Sequence, residues 1–192
     1  MDLGFGFVML LRAISKDKKA TAAIVLAGLA MLSLVAGLFG QFIILMLIVA
    51  ELVLAFFIGE FDLKKIGIEL VTLIVVLSGM AYGPLVGLVL GIVLLTFRFI
   101  LTRGLGPYIV YCIPVMGAVG LIAGYAAIGN WFSGDIVMIG ISLSLLYNLI
   151  TGGLGTLIMQ DFFDELVWSG SNFVLNFILF TNVAPIILLA MA

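Results

Sequence analysis

The chain of 192 residues predicts an all-α fold, a polytopic transmembrane bundle of six or seven helices with glycine-rich packing. Three observations carry that expectation. Residues are 65% hydrophobic and only 9% charged, against about 25% charged in an ordinary soluble domain. Charge-free runs cover 20–50, 70–97, 104–134, 136–160 and 166–192, each longer than the roughly 20 residues a spanning helix needs. The stretch Gly79-Met-Ala-Tyr-Gly83-Pro-Leu-Val-Gly87-Leu-Val-Leu-Gly91 repeats glycine every fourth position, a spacing that lets lipid-embedded helix backbones approach closely. Unbroken apolar runs, with no alternation, exclude a transmembrane barrel.

Helix boundaries follow from the breaks at Gly37–Gln41, Gly59–Lys65, Gly83-Pro84, Thr102–Pro107, Gly129–Asp135 and Gln160–Gly170. They delimit helices over 20–39, 41–59, 66–82, 84–102, 108–129, 136–159 and 171–191. Gly83-Pro84 reads as a tight turn, since proline disfavours helix in the residue before it. A six-span alternative treats 20–59 as one long tilted helix with a re-entrant or interfacial piece after it. Residues 1–19 carry their positive charges after the apolar stretch Leu3–Leu11, the reverse of a signal peptide. They are expected to form a cytoplasmic interfacial segment ahead of one membrane domain, 20–192.

Basic residues near span ends favour the cytoplasm. With seven spans, Arg12, Lys16, Lys18, Lys19, Lys64, Lys65 and Arg103 fall on one side. The amino end is then inside, the carboxy end outside, and Gly83-Pro84 outside with the loop Asn130–Asp135. Trp131 and Trp168 suit anchors at the two interfaces.

Histidine is absent and Cys112 is the single cysteine. A Ser-His dyad, an HExxH zinc site, histidine-ligated haem and an intrachain disulfide are thereby excluded. No Walker sequence is present, which disfavours ATP binding. The expectation is a protein without catalytic residues, cofactor, metal site or nucleic-acid partner, working in the lipid bilayer.

Polar groups within the apolar runs carry the functional signal, because a charge at the bilayer centre costs about 2.5–3.5 kcal/mol on insertion scales. Glu51 is the deepest and reads as a proton or cation site or a ligand contact, or else as a protonated or hydrogen-bonded glutamate facing a neighbouring helix. Arg98 either snorkels to the headgroups or points inward as an anion anchor. Asn148 lies mid-helix, while Asn172 and Asn176 share a helix face. These amides either glue helices together or line a polar cavity with Tyr111 and Tyr147. Glu60, Asp62, Lys64, Lys65 and Glu69 read as a solvated interfacial turn or as a ligand or partner grip, with an available Lys65–Glu69 pair. Asp161, Asp164 and Glu165 read as a solvated loop or as an acidic patch for a basic partner. Ala23 and Ala27 form a small-residue face suited, like Gly79, Gly83, Gly87 and Gly91, to partner-helix packing.

Phe61-Asp62-Leu63 precedes an apolar helix, followed by Tyr82-Gly83-Pro84-Leu85-Val86-Gly87, then Leu105-Gly106-Pro107-Tyr108 and a glycine-rich helix ending at Gly117–Gly124. This order resembles the superfamily that joins the S components of energy-coupling-factor vitamin transporters with the rod-shape protein MreD. The likeness covers about residues 58–126, with a looser one over Asn172–Leu189. It implies a six-helix bundle that binds a vitamin or other micronutrient near its outer face. The ligand then passes to a transmembrane coupling subunit with two ATPases, docked on the face carrying Ala23 and Ala27. By region, the resemblance puts Asp62, Asn148, Asn172 and Asn176 in the ligand pocket, beside the inward reading of Arg98. It also implies a cytoplasmic Gly83-Pro84 turn, opposite to the side expected from the charges. Competing readings are a structural subunit of a membrane complex, as MreD is, and an ion-coupled transporter centred on Glu51.

Overall fold

A computed structural model describes residues 18–63, 66–104, 106–159 and 162–191, with side chains from residue 39 onward except that of Met159. It divides into two units, Met1–Gly40 and Gln41–Ala192. The first is described as helical backbone from Lys18; it includes Ala23 and Ala27, whose side chains lie outside the described residues. So do residues 1–17 of the expected interfacial segment, together with Lys64 and Lys65.

All regular structure among the described residues is helical: α1 (Lys18–Glu60), α2 (Val71–Tyr82), α3 (Pro84–Leu101), α4 (Ile109–Ile128), a 3-10 turn (Trp131–Gly134), α5 (Ile136–Met159), α6 (Phe162–Asn182) and α7 (Ala184–Met191). Four helical stretches are long and apolar enough to cross a membrane: Phe39–Glu60, Pro84–Leu101, Ile109–Ile128 and Ile136–Ile158. The bent pair α6–α7 makes a fifth if it counts as one span.

Three boundaries differ from the sequence expectation. The break at Gly37–Gln41 is absent and α1 runs through it, because a glycine costs a helix only about 1 kcal/mol relative to alanine and no proline lies there. The helix expected over 66–82 begins only at Val71; Ile66–Leu70 is not helical. The last expected helix starts nine residues earlier, at Phe162 rather than 171, where Asp164 and Glu165 in its first turn complement the positive end of the helix dipole. It then bends by 48° before Ala184. Pro185 explains the bend, since its ring lacks an N–H and crowds the carbonyl of Thr181 one turn back.

In the second unit α1 turns a stripe of Ile44, Glu51, Ala55 and Ile58 inward, the spacing of one helix face. Helix α2 is buried on every side from Val71 to Gly79, so it is the central element, packed on α3 and α4 and touching α5, α6 and α7. Gly83 closes it with φ of 100°, a conformation open chiefly to glycine, and Pro84 starts α3 at a position where its missing N–H has no helical partner anyway. A Cβ on Gly87 would strike the Gly120 carbonyl, and one on Gly120 would strike that of Gly87. The α3 and α4 backbones are therefore in contact there.

The same contacts sort the loops. Gly59 lies against Leu101 and Thr102, and Glu60 pairs with Arg103 at 2.6 Å, so the ends of α1 and α3 share one end of the bundle. Pro84 lies against Gly124 at the other. There Asp135 caps α5, its carboxylate accepting the Val137 N–H at 2.8 Å.

Candidate functional site

The non-helical segment Ile66–Leu70 sits among helices, where unpaired backbone groups are costly. Side chains from three helices meet that need. The Gly67 N–H donates to the Ser171 hydroxyl at 2.9 Å, and the Gly67 carbonyl accepts from the Asn172 amide at 3.0 Å. The Ile68 carbonyl accepts from the Arg98 guanidinium at 2.7 Å. The Leu70 N–H donates to the Glu51 carboxylate at 2.7 Å. A side chain at Gly67 would collide with the Trp168 carbonyl, so only glycine lets the segment lie this close to α6.

Arg98 joins this segment to a charge cluster. Its guanidinium also donates to Glu51, and its Nε lies 3.7 Å from a Glu69 oxygen. Glu69 in turn accepts the Thr72 hydroxyl at 2.7 Å. Glu51 and Glu69 are fully buried and Arg98 is 6% exposed. Arg98 thus points inward instead of snorkelling, and Glu69 is an interior residue instead of part of a solvated turn. Two carboxylates share one guanidinium.

The asparagines form a second network. The Asn148 amide donates to the Asn172 side-chain oxygen at 2.9 Å and to the Ser144 carbonyl at 2.8 Å. The Asn176 amide donates to the same Asn172 oxygen at 3.1 Å and to its carbonyl at 3.0 Å. Asn172 is thereby the hub linking α5, α6 and Gly67. Asp62 is exposed on the turn after α1, with φ of 53°.

Beside the charge cluster lies a cavity of about 260 Å³. Its wall takes Ile58 from α1; Leu95, Arg98 and Phe99 from α3; Thr102, Gly104 and Tyr108 from the connection to α4; Tyr111 and Cys112 from α4; Thr151 from α5; and Asp164, Glu165 and Trp168 from α6. Of the residues singled out from the sequence as ligand contacts, Arg98 lines it, whereas Asp62, Asn148, Asn172 and Asn176 do not. Tyr111 is on the wall and Tyr147 is buried behind it, edge-on to Trp168 at 6.3 Å between ring centres. Asp164 and Glu165 belong to this wall, not to a plain solvated loop. Glu165 packs over Gly155, whose absent Cβ leaves room for the carboxylate. Tyr108 is fixed by its hydroxyl, which donates to the Gly104 carbonyl, and its ring lies 5.3 Å from that of Phe99. Burial, and after it the nearby Glu165 side chain, pushes its phenol above the ordinary range.

Sequence reasoning passed over Tyr108, Thr151 and Trp168 as parts of a polar centre, and saw Glu69 only within the charged turn. A signal did exist for Glu69, the last charge before the long run 70–97. Its pairing with Arg98 depends on how α2 and α3 fold back on each other, which spacing does not state. Among the described residues no group of three or more His, Cys, Asp or Glu is arranged to hold a metal ion.

An all-helical integral membrane protein with a buried charge cluster and an adjoining cavity is the class that fold and site define. Comparison of the chain with protein-family models, with curated proteins and with solved structures finds no match.

Proposed function

We propose that this chain is a non-enzymatic, membrane-embedded subunit that captures a small organic molecule for uptake, in the manner of the S components it resembles. The cavity of about 260 Å³ beside Arg98 carries this reading. It approaches the roughly 300 Å³ at which small-molecule sites begin, and it combines aromatic walls with a few converging polar groups. In this reading the second unit crosses the cell membrane six times, with Ile66–Leu70 and α2 together forming one crossing and α6–α7 another. A helix of 12 residues rises only about 18 Å of a bilayer core of about 30 Å, so the non-helical Ile66–Leu70 segment would supply the rest of this crossing. The glycine contacts between α2, α3 and α4 would hold the bundle rigid around the pocket. The Ala23 and Ala27 face would dock a coupling subunit that brings ATPases, the chain having no energy source of its own.

A scaffold role in a membrane complex is the second reading. It is favoured by the engagement of Glu51, Arg98, Asn148, Asn172 and Asn176 in internal bonds.

Sidedness separates the two. In a Cys112→Ser background, one cysteine replaces Leu63, exposed at the cavity end, and another replaces Ser133, exposed at the other. An impermeant maleimide added to intact cells labels Leu63→Cys and spares Ser133→Cys if the cavity opens outward for capture. The reverse pattern turns the cavity toward the cytoplasm, overturns capture for uptake and leaves the scaffold.

A further inference from the structure

We infer that the α5–α6 hairpin is a gate on the cavity, held shut by the bonds that Ser171 and Asn172 make to Gly67. This rests on the capture reading above, in which a ligand must enter the cavity, and names the part that moves.

The two sides of the cavity are fastened differently. One side belongs to α2, α3 and α4, where backbone meets backbone: a Cβ on Gly79 would strike the Gly120 carbonyl, one on Gly91 the Met116 carbonyl and one on Gly124 the backbone of Pro84. Surfaces packed this closely do not yield by small steps. The other side belongs to α5 and α6, which fasten to each other. The Phe180 ring seats on Gly140, the Ser169 hydroxyl lies against Gly152, and the Asn148 amide donates to Asn172 at 2.9 Å. Arg98 and Cys112 line the cavity from the first group, Thr151 and Trp168 from the second.

Both connections of the hairpin lie at the end of the bundle away from the cavity. Asp135 caps α5 there, and the contact of Phe180 with Gly140 brings the bend before Ala184 to the same end. Pro185 leaves the helix one hydrogen bond short at that bend. Trp168 lies about 24 Å along the helix from it, so a swing of about 10° carries Trp168 about 4 Å.

The swing is resisted at Gly67, whose N–H donates to the Ser171 hydroxyl at 2.9 Å and whose carbonyl accepts from the Asn172 amide at 3.0 Å. Gly67 belongs to no helix, so water admitted to the open cavity replaces both partners. Parting α3 from α4 offers no such exchange, because the van der Waals contact is lost outright.

Cys112 is the single cysteine, is 7% exposed and lines the cavity from α4, so its modification by N-ethylmaleimide reports opening in the full chain without a ligand. In nanodiscs, with the rate read by intact mass, Ser171→Ala is expected to react about two- to tenfold faster than the parent, the loss of one hydrogen bond. Ser171→Thr keeps the hydroxyl and should return the parent rate. Gly120→Ala loosens α3 from α4, the helix that carries Cys112, and should lower Tm without raising the rate. Asn172→Ala serves as the second variant if Ser171→Ala does not fold. A parent rate in folded Ser171→Ala, or an equal rise in Gly120→Ala, overturns the gate. Sidedness labelling tests capture by itself, so failure of the gate and failure of capture are told apart.

Discussion

The Arg98 guanidinium donates to the Glu51 carboxylate across 47 positions of sequence, and both side chains are sealed inside the bundle. A buried pair of this kind is weak evidence for stability as such, yet removing one partner strands the other. Arg98 also holds the Ile68 carbonyl and approaches Glu69. Arg98→Ala should therefore cost about 3–5 kcal/mol. Arg98→Lys should recover little, because an ammonium lacks the planar fork that serves several acceptors at once. Denaturant titration of purified protein in detergent, read by Tm or circular dichroism, checks both. A lysine variant as stable as the parent would show that only the charge matters.

Asn172 accepts from Asn148 and Asn176 and donates to Gly67. Its replacement by alanine should cost about 2 kcal/mol, since interhelical amide bonds contribute about 0.6–2 kcal/mol each. A double-mutant cycle with Asn148→Ala should give a coupling of about 0.5 kcal/mol or more. Strict additivity would mean that the two amides act independently.

Glycine positions divide into two kinds. Gly120→Ala should destabilise by about 1–3 kcal/mol, because its new methyl meets the Gly87 backbone, which cannot step aside. Gly170→Ala, with nothing within 4 Å of the added atom, should be neutral or stabilising by about 0.4–1 kcal/mol. Equal effects at the two sites would argue against close α3–α4 packing.

Gly155→Ala should leave the fold intact, since its methyl meets the flexible end of Glu165 and not backbone. It should displace that carboxylate and shift the emission of Trp168, which shares the cavity wall with Glu165, while Gly153→Ala two positions away, facing open space, should not. Trp168 fluorescence in a Trp131→Phe background reads both.

Tyr108 supplies a pH test. Its folded-state pKa is raised, chiefly by burial, so the folded protein holds this proton more tightly than the unfolded chain does. The contribution is complete below about pH 10, the unfolded tyrosine value, and is lost as pH rises through the folded pKa. Tm measured from neutral to alkaline pH should fall less steeply in Tyr108→Phe than in the parent. Parallel curves would remove Tyr108 from the alkaline transition.

The sequence alone determined the class of fold. Apolar runs longer than a bilayer is thick leave helices as the one way to pair the backbone, and Gly83-Pro84 sets its turn through local sterics that need no partner. Most helix ends were legible for the same local reason. The ends of α6 and α7 were less so, because Pro185 acts on a carbonyl one turn back and two acids can open a helix as readily as fill a loop. Only the tertiary structure decided what the polar residues do. Glu51, Arg98 and Asn172 each have a bonding capacity that their sequence neighbours do not satisfy, and several partners were chemically possible. The non-helical Ile66–Leu70 segment settles their roles, because its exposed backbone groups draw side chains from α1, α3 and α6 to one place. The cavity is likewise assembled from residues between Ile58 and Trp168, and no spacing along the chain encodes a space between helices.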